Sequence, residues 1–154
     1  MGEFFSKNGD SYHPIVIIPI IMWMIAQLLK FTIFSVKHGI NWKYLFEYGH
    51  MPSSHTATMT ALIFSTGYYE GIYSPIFAVA FTMGAIVMSD AVKLRGYIGE
   101  YGKVLNQLTK KQKENYPRLK ERVGHTVREV VSGALLGLVG AFLLIQLFNL
   151  FLNQ

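Results

Sequence analysis

Four apolar blocks dominate the pattern of hydrophobic and polar positions along the chain. They cover residues 14–36, 53–69, 74–92 and 129–152, and each approaches the roughly 20 residues that a helix needs to cross a hydrocarbon core. The second block, SSHTATMTALIFSTGYY, is short and is made more polar by its serines and threonines. The pattern predicts an all-α protein: an integral membrane bundle of four transmembrane helices that forms a single membrane domain over residues 1–154.

Composition agrees with this prediction. Apolar residues make up 51% of the chain and charged residues only 15%, which favours a membrane protein over the alternative of a soluble four-helix bundle. The chain has no cysteine, so it has neither a disulfide framework nor a thiolate metal site. Its N-terminus lacks the features of a cleaved signal peptide, so the first block is expected to remain as a membrane anchor.

Positive charge is concentrated in two loops. Ten of the fourteen Lys and Arg residues lie between residues 93 and 128, and Lys37 and Lys43 lie between the first two blocks. The positive-inside rule then makes both loops cytoplasmic and places both termini outside. Because the charge lies beside membrane spans, topology and anionic lipid head groups explain it better than nucleic acid, which is not an expected partner.

An amphipathic stretch follows the third block. Its apolar residues recur at helical spacing and lysines follow them, which suggests an interfacial helix against the inner leaflet. Gly99 and Gly102 weaken this interpretation, and an extension of the third helix to about residue 112 is the alternative. The apolar residues are Tyr97, Ile98, Tyr101, Val104, Leu105 and Leu108.

Ionisable residues from all four predicted helices fall at one end of the bundle. An ionised side chain deep in a bilayer costs roughly 2.5–3.5 kcal/mol on insertion scales, so a cluster at one depth needs mutual pairing, water or a ligand. Lys30 alone can also be explained by a side chain that reaches the interface. Asp90 has two candidate roles: an ion pair with Lys93, Arg95 or Lys30, or a share with Glu129 in holding a divalent ion such as Mg²⁺. The cluster consists of Lys30, His55, Asp90, Arg95, His125 and Glu129.

The segment MPSSHT, residues 51–56, has the features of a helix start. Pro52 interrupts the preceding chain, and Ser53 or Ser54 can cap the free backbone N–H groups. A helix N-terminus favours an anion, to which serine hydroxyls donate further hydrogen bonds. His55 in this turn can protonate a leaving group. A plain helix cap is the alternative interpretation.

The segment KERVGHTVREV, residues 120–130, places His125 and Glu129 four residues apart, on one face of a helix. A carboxylate at this spacing can hold the proton of one imidazole nitrogen and leave the other as a nucleophilic lone pair. Lys120 and Arg122 are near enough in sequence to supply positive charge to a phosphoryl group. The alternative is a surface His–Glu pair.

The two segments together resemble the type 2 phosphatidic acid phosphatase and vanadium haloperoxidase superfamily. Its motifs read K-x6-R-P, P-S-G-H and S-R-x5-H-x3-D. The blocks GHMPSSHTA, IVMSDAVKLRGYIGEYGKVLN and LKERVGHTVREVVSGALLG are most similar to its small divergent branch of bacterial and plant membrane proteins, over about residues 30–140. The resemblance implies an integral protein, in bacteria an inner-membrane protein.

The resemblance also implies roles for individual residues. His125 would be the nucleophile that forms a phosphohistidine, Glu129 its orienting carboxylate and His55 the acid for the leaving alcohol. Ser53 matches the motif serine, whereas Ser54 replaces the motif glycine. The first motif is missing and Leu119 stands where the third motif has arginine, so the candidate substitutes in the phosphate site are Lys30, Lys120 and Arg95.

Two functions are predicted from these features. The first is a lipid phosphatase at the cytoplasmic membrane face that hydrolyses phosphatidate, phosphatidylglycerophosphate or a polyprenyl pyrophosphate. The second is a non-catalytic phosphate- or lipid-binding membrane protein or transporter. The motif requires no cofactor, and Mg²⁺ is an alternative through Asp90. Gly133, Gly137 and Gly140 lie near one stripe and permit close packing, either within the bundle or in a homo-oligomer.

Overall fold

The computed structural model describes residues 14–42, 51–112 and 116–152. Lys43 and the first two residues of the GHMPSSHTA block lie outside this part of the chain. The described residues form helices and connecting segments, and their helices lie close to the predicted blocks. The helices are α1 (Pro14–His38), α2 (Ser54–Glu70), α3 (Pro75–Val92), α4 (Leu94–Gln112) and α5 (Val127–Leu152).

The starts of α2 and α3 follow from their sequences. Ser53 precedes α2 in an extended conformation, and its side chain accepts a hydrogen bond from the backbone N–H of Thr56. Ser74 caps α3 in the same way through Phe77, with Pro75 at the first helical position. Serine caps satisfy donors that have no partner within the helix, and proline has no donor to satisfy there.

Three stretches of the described chain are long and apolar enough to cross a membrane: Pro14–Val36, Pro75–Lys110 and Val127–Phe151. The helix α2 is more polar, and it packs against α1, α3 and α5. Its buried Ser65 and Thr66 donate hydrogen bonds to the backbone oxygen of Leu62, at 3.2 and 2.6 Å. The chain is thus an all-α integral membrane protein whose most polar bundle helix lies against the other three, which explains the low hydropathy of α2.

The glycine stripe of α5 packs inside the chain. A Cβ atom at Gly133 would collide with the carbonyl oxygen of Ser53, and one at Gly137 with the backbone of Ala57. Both contacts are with α2 or its cap, and Gly140 lies in the same way against Met22 of α1. Close approach of small residues is a common basis of helix packing in membranes. The stripe therefore joins α5 to its own bundle, and the homo-oligomer stays a prediction.

We expect Gly137→Ala to destabilise the fold by about 1–3 kcal/mol, because the added methyl group must push α2 away from α5. The measurement is the midpoint of thermal unfolding in detergent, followed by intrinsic fluorescence. Gly96→Ala is the matched control, since a Cβ atom at Gly96 would have no neighbouring atom within 4 Å in the described structure. Equal midpoints for Gly137→Ala and wild type would contradict this account of the α2–α5 contact.

The third apolar block and its extension form two helices rather than one. The backbone N–H of Lys93 still bonds to Ser89 at 2.8 Å, and that of Tyr97 bonds to Lys93 at 3.0 Å. Between them the chain leaves the helical hydrogen-bond pattern, and the carbonyl oxygen of Ala91 accepts instead from the backbone N–H of His125 at 2.9 Å. The break therefore supplies the acceptor that fixes the backbone at His125.

The segment before α5 runs along one side of α4. Asn106 fixes it with two hydrogen bonds of 2.9 Å, one to the backbone oxygen and one from the backbone N–H of Leu119. A Cβ atom at Gly99 would lie 2.6 Å from the backbone oxygen of Glu121, and one at Gly102 would lie 2.7 Å from that of Lys120. The two glycines that weakened the helix prediction thus allow this backbone to approach α4.

Candidate functional site

His125 lies where the ends of several helices meet. Its backbone N–H is held by Ala91 at the end of α3, and Gly124 before it lies against the backbone at Arg95 and Gly96. One turn later, the carbonyl oxygen of Glu129 accepts a hydrogen bond from the backbone N–H of Ser53 at 3.2 Å. Backbone contacts therefore fix the start of α5 against α2, α3 and α4.

The side chains of His125 and Glu129 form a buried pair. His125 is 8% exposed and Glu129 is 4% exposed, and Nδ1 of His125 lies 3.3 Å from Oε2 of Glu129. An ionised carboxylate can only accept at this contact, which favours the tautomer that donates from Nδ1 and leaves Nε2 as a lone pair. Burial lowers the pKa of His125 below its usual range, while the bond to Glu129 opposes that shift. A neutral imidazole is the form that can act as a nucleophile.

Thr126 holds Glu129 in place through two further hydrogen bonds. Oε2 of Glu129 accepts from the backbone N–H of Thr126 at 2.9 Å, and Thr126 Oγ1 accepts from the backbone N–H of Glu129 at 3.3 Å. This reciprocal arrangement is a capping box. The sequence TVRE, residues 126–129, contains its signature, a local signal that apolar patterning does not include. Glu129 therefore caps α5 and orients His125 at the same time.

Arg122 forms an ion pair with Glu129. Its Nη2 atom lies 2.8 Å from Oε1 of Glu129, and its side chain is 59% exposed. Arg122 thus neutralises the carboxylate that holds His125, a partner that spacing along the chain did not indicate. Lys120 is exposed on the segment that runs along α4.

Lys30 is a buried cation in the membrane-spanning part of α1. Lys30 is only 5% exposed. None of the carboxylates in the described part of the chain forms an ion pair with it. Its positive charge nevertheless acts on Glu129, His55 and His125. Lys30 thus lies near enough for its charge to act on these three residues, without an ion pair to a carboxylate of the described chain.

His55 opens onto a cavity of about 340 Å³. Arg95 lines the same cavity and donates from Nε to Oδ2 of Asp90 at 2.9 Å. Of the partners considered for Asp90, the structure places Arg95 in contact with it. The rest of the wall is largely apolar and comes from α1, α2 and α3, through Trp23, Thr58, Met59, Ile86 and Val87.

The two motif serines are buried at the start of α2. Ser53 is 0% exposed and Ser54 is 3% exposed. The Ser53 hydroxyl oxygen accepts from Thr56 through its backbone N–H at 3.4 Å and its hydroxyl at 3.0 Å. Ser53 therefore acts as a helix cap, as the alternative interpretation expected, and its own hydroxyl proton remains a donor.

The described residues contain no group of three or more His, Cys, Asp or Glu side chains arranged to hold a metal ion. Asp90 is instead bonded to Arg95, and Glu129 to Arg122, Thr126 and His125. Carboxylates that are already paired are poor candidates for a shared Mg²⁺ site. Use of Mg²⁺ stays a prediction.

These features define a class: a helical integral membrane protein with a histidine–carboxylate pair and a buried cation where the helix ends meet. The chain belongs to the Divergent PAP2 family, whose family model matches residues 12–140. It is 33% identical over 139 residues to the uncharacterized membrane protein YuiD of Bacillus subtilis (strain 168), with 80% of this chain and 88% of that protein covered. No solved structure matches the chain.

Proposed function

We propose that the protein is a membrane phosphatase that hydrolyses a phosphomonoester or pyrophosphate on a lipid through a phosphohistidine intermediate. The observation that carries the proposal is the buried His125–Glu129 pair, with its Nδ1 contact of 3.3 Å, within reach of the charge of the buried Lys30. A fixed tautomer supplies a nucleophilic nitrogen, and a buried ammonium without a described carboxylate in direct contact supplies an attraction for phosphate.

The proposed reaction has two steps. In the first, the lone pair on Nε2 of His125 forms a bond to phosphorus as the bond to the lipid oxygen breaks, and His55 gives a proton to that oxygen. In the second, water attacks phosphorus, His55 takes a proton from the water, and the bond to His125 breaks. Lys30 and Arg95 offset the negative charge on the phosphoryl oxygens, a role that positioned cations fill in phosphoryl transfer.

The lipid part of the proposal is supported by the cavity beside His55. Its walls include Trp23, Met59 and Ile86, which suit an apolar group attached to the leaving oxygen. The concentration of Lys and Arg between residues 93 and 128 supports a cytoplasmic location for the site. Phosphatidate, phosphatidylglycerophosphate and polyprenyl pyrophosphate are the proposed substrate classes.

A phosphate- or lipid-binding protein without turnover is the second candidate. Turnover is disfavoured by the ion pairs of Arg95 with Asp90 and of Arg122 with Glu129, each with a contact of 2.8–2.9 Å, because paired arginines stabilise the charge of a transition state less well. Both arginines were predicted to bind phosphate, and each already has a carboxylate partner. The missing first motif points the same way, since loss of one aligned donor can cost about 10²-fold or more in rate.

The test is phosphate release by the purified protein from the three lipid classes, with Mg²⁺ and with a chelator, beside the binding of each lipid to the same protein. We expect sustained release from at least one lipid. A soluble aryl phosphate in the same detergent tests whether the apolar group is needed. If every lipid is bound but none is hydrolysed, the binding candidate replaces the phosphatase; if none is bound, both proposals fail.

A further inference from the structure

We propose that α4 lies along the membrane surface, on the side of the bilayer where the site opens, with its apolar face inserted into an anionic lipid leaflet. That face is exposed along the whole helix, and each of its residues is about half exposed. It comprises Leu94, Tyr97, Ile98, Tyr101, Val104, Leu105 and Leu108.

The length of α3 leaves α4 outside the hydrocarbon core. The 18 residues of α3 span about 27 Å at 1.5 Å per residue, close to the roughly 30 Å of a bilayer core. The candidate membrane span that includes α3 and most of α4, Pro75–Lys110, is 36 residues long. One crossing of a bilayer needs only about 20 residues. Since the helical hydrogen-bond pattern is interrupted at Lys93, α4 begins where α3 reaches the interface.

The bundle does not cover the apolar face of α4. Among the five described helices, α4 contacts only α3. The side of α4 that carries Gly99, Gly102 and Asn106 is occupied by the segment before α5. At 100° per residue this side is separated from the centre of the apolar face by about a third of a turn. The described part of the chain therefore leaves that face open to an external partner.

Lipid fits this face better than a second copy of the chain. Tyr97 and Tyr101 lie within it, and tyrosine is enriched where a membrane meets water. Lys103 and Lys110 are exposed on the opposite side of the helix, where a surface-bound helix presents its charges to the head groups. Residues 93–128 carry ten Lys and Arg against three Glu, so an anionic leaflet attracts the whole region.

The proposed placement has a consequence for the site. Asn106 ties α4 to Leu119 and, through a 2.9 Å bond, to Oε1 of Glu121. This segment continues into Arg122 and His125, so a helix seated on the leaflet holds the site at the level of the lipid head groups. The placement of α4 depends on the surface of this helix and not on whether the protein is a phosphatase.

The absence of cysteine from the chain permits a direct test with single cysteines that carry a nitroxide label. Tyr101→Cys and Leu105→Cys report on the apolar face, and Lys103→Cys and Gln107→Cys are matched controls on the charged side. The full-length protein is reconstituted in vesicles of phosphatidylglycerol or of phosphatidylcholine. Collision of each label with oxygen, which concentrates in lipid, is compared with collision with a water-soluble nickel chelate.

We expect the ratio of oxygen to nickel collisions to be at least about threefold higher at the apolar positions than at the controls, and highest in phosphatidylglycerol. Equal ratios on both sides of α4 would overturn the proposal. Dipolar coupling between labels at Leu105 would also overturn it, because a second copy would then occupy the face. Two labelled positions on each side ensure that one poorly folded variant leaves the comparison intact.

Discussion

Replacing His125 with asparagine is expected to lower phosphate release by at least about 10³-fold, because the variant has no nitrogen lone pair to attack phosphorus. Asparagine still offers an N–H group toward Glu129, whose other bonds to Thr126 and Arg122 do not involve His125. The start of α5 should therefore keep its capped structure. The measurement is the initial rate of release from the best lipid substrate, beside the binding of inorganic vanadate.

The control is His38→Asn. His38 ends α1 and is exposed, with its ring near Phe34, so the substitution should leave the rate unchanged. Wild type quenched during turnover should carry a phosphoryl group that is labile in acid and stable in base, and His125→Asn should carry none. Release at a near wild-type rate by His125→Asn would eliminate the phosphohistidine mechanism, whereas unchanged vanadate binding without any wild-type turnover would favour the binding candidate.

The helices were predictable because hydrophobic length is a property of consecutive residues. The structure brings Lys30, His55 and His125 near enough for their charges to interact, and topology predicted this proximity because alternate helix ends must meet at the same membrane face. The polar character of α2 made it the least certain helix from sequence. The structure explains it by position, because Ser65 and Thr66 face protein and bond within their own helix.

The contacts that complete the site were not predictable in the same way. A break of one residue at Lys93 frees the carbonyl oxygen of Ala91 for His125, and hydrophobic patterning does not register so small an interruption. Arg122 meets Glu129 because of the path of the loop before α5. That path is set by α4, where Gly99 allows close approach and Asn106 forms a hydrogen bond to the loop. Charges close in sequence do not determine which carboxylate each will meet in space.

Replacing Lys30 with methionine should separate function from stability. We expect phosphate release to fall by about 10²–10³-fold, because Lys30 is the buried cation of the site that no described carboxylate pairs with directly. The thermal midpoint should stay the same or rise, since burying an ionised lysine in a membrane bundle costs free energy that burying methionine does not. The measurements are the rate of release and the unfolding midpoint in one detergent.

Lys110→Met is the matched control, because Lys110 is exposed on α4 and its loss removes the same charge away from the site. It should keep the wild-type rate and midpoint. If Lys30→Met loses stability as well as activity, Lys30 is a structural residue held by the field of Glu129 and not a phosphate ligand. A stable but inactive Lys30→Met variant would instead show that this membrane helix retains an energetically costly charge because the chemistry requires it. Lys30 would then bind phosphate in place of the missing first motif.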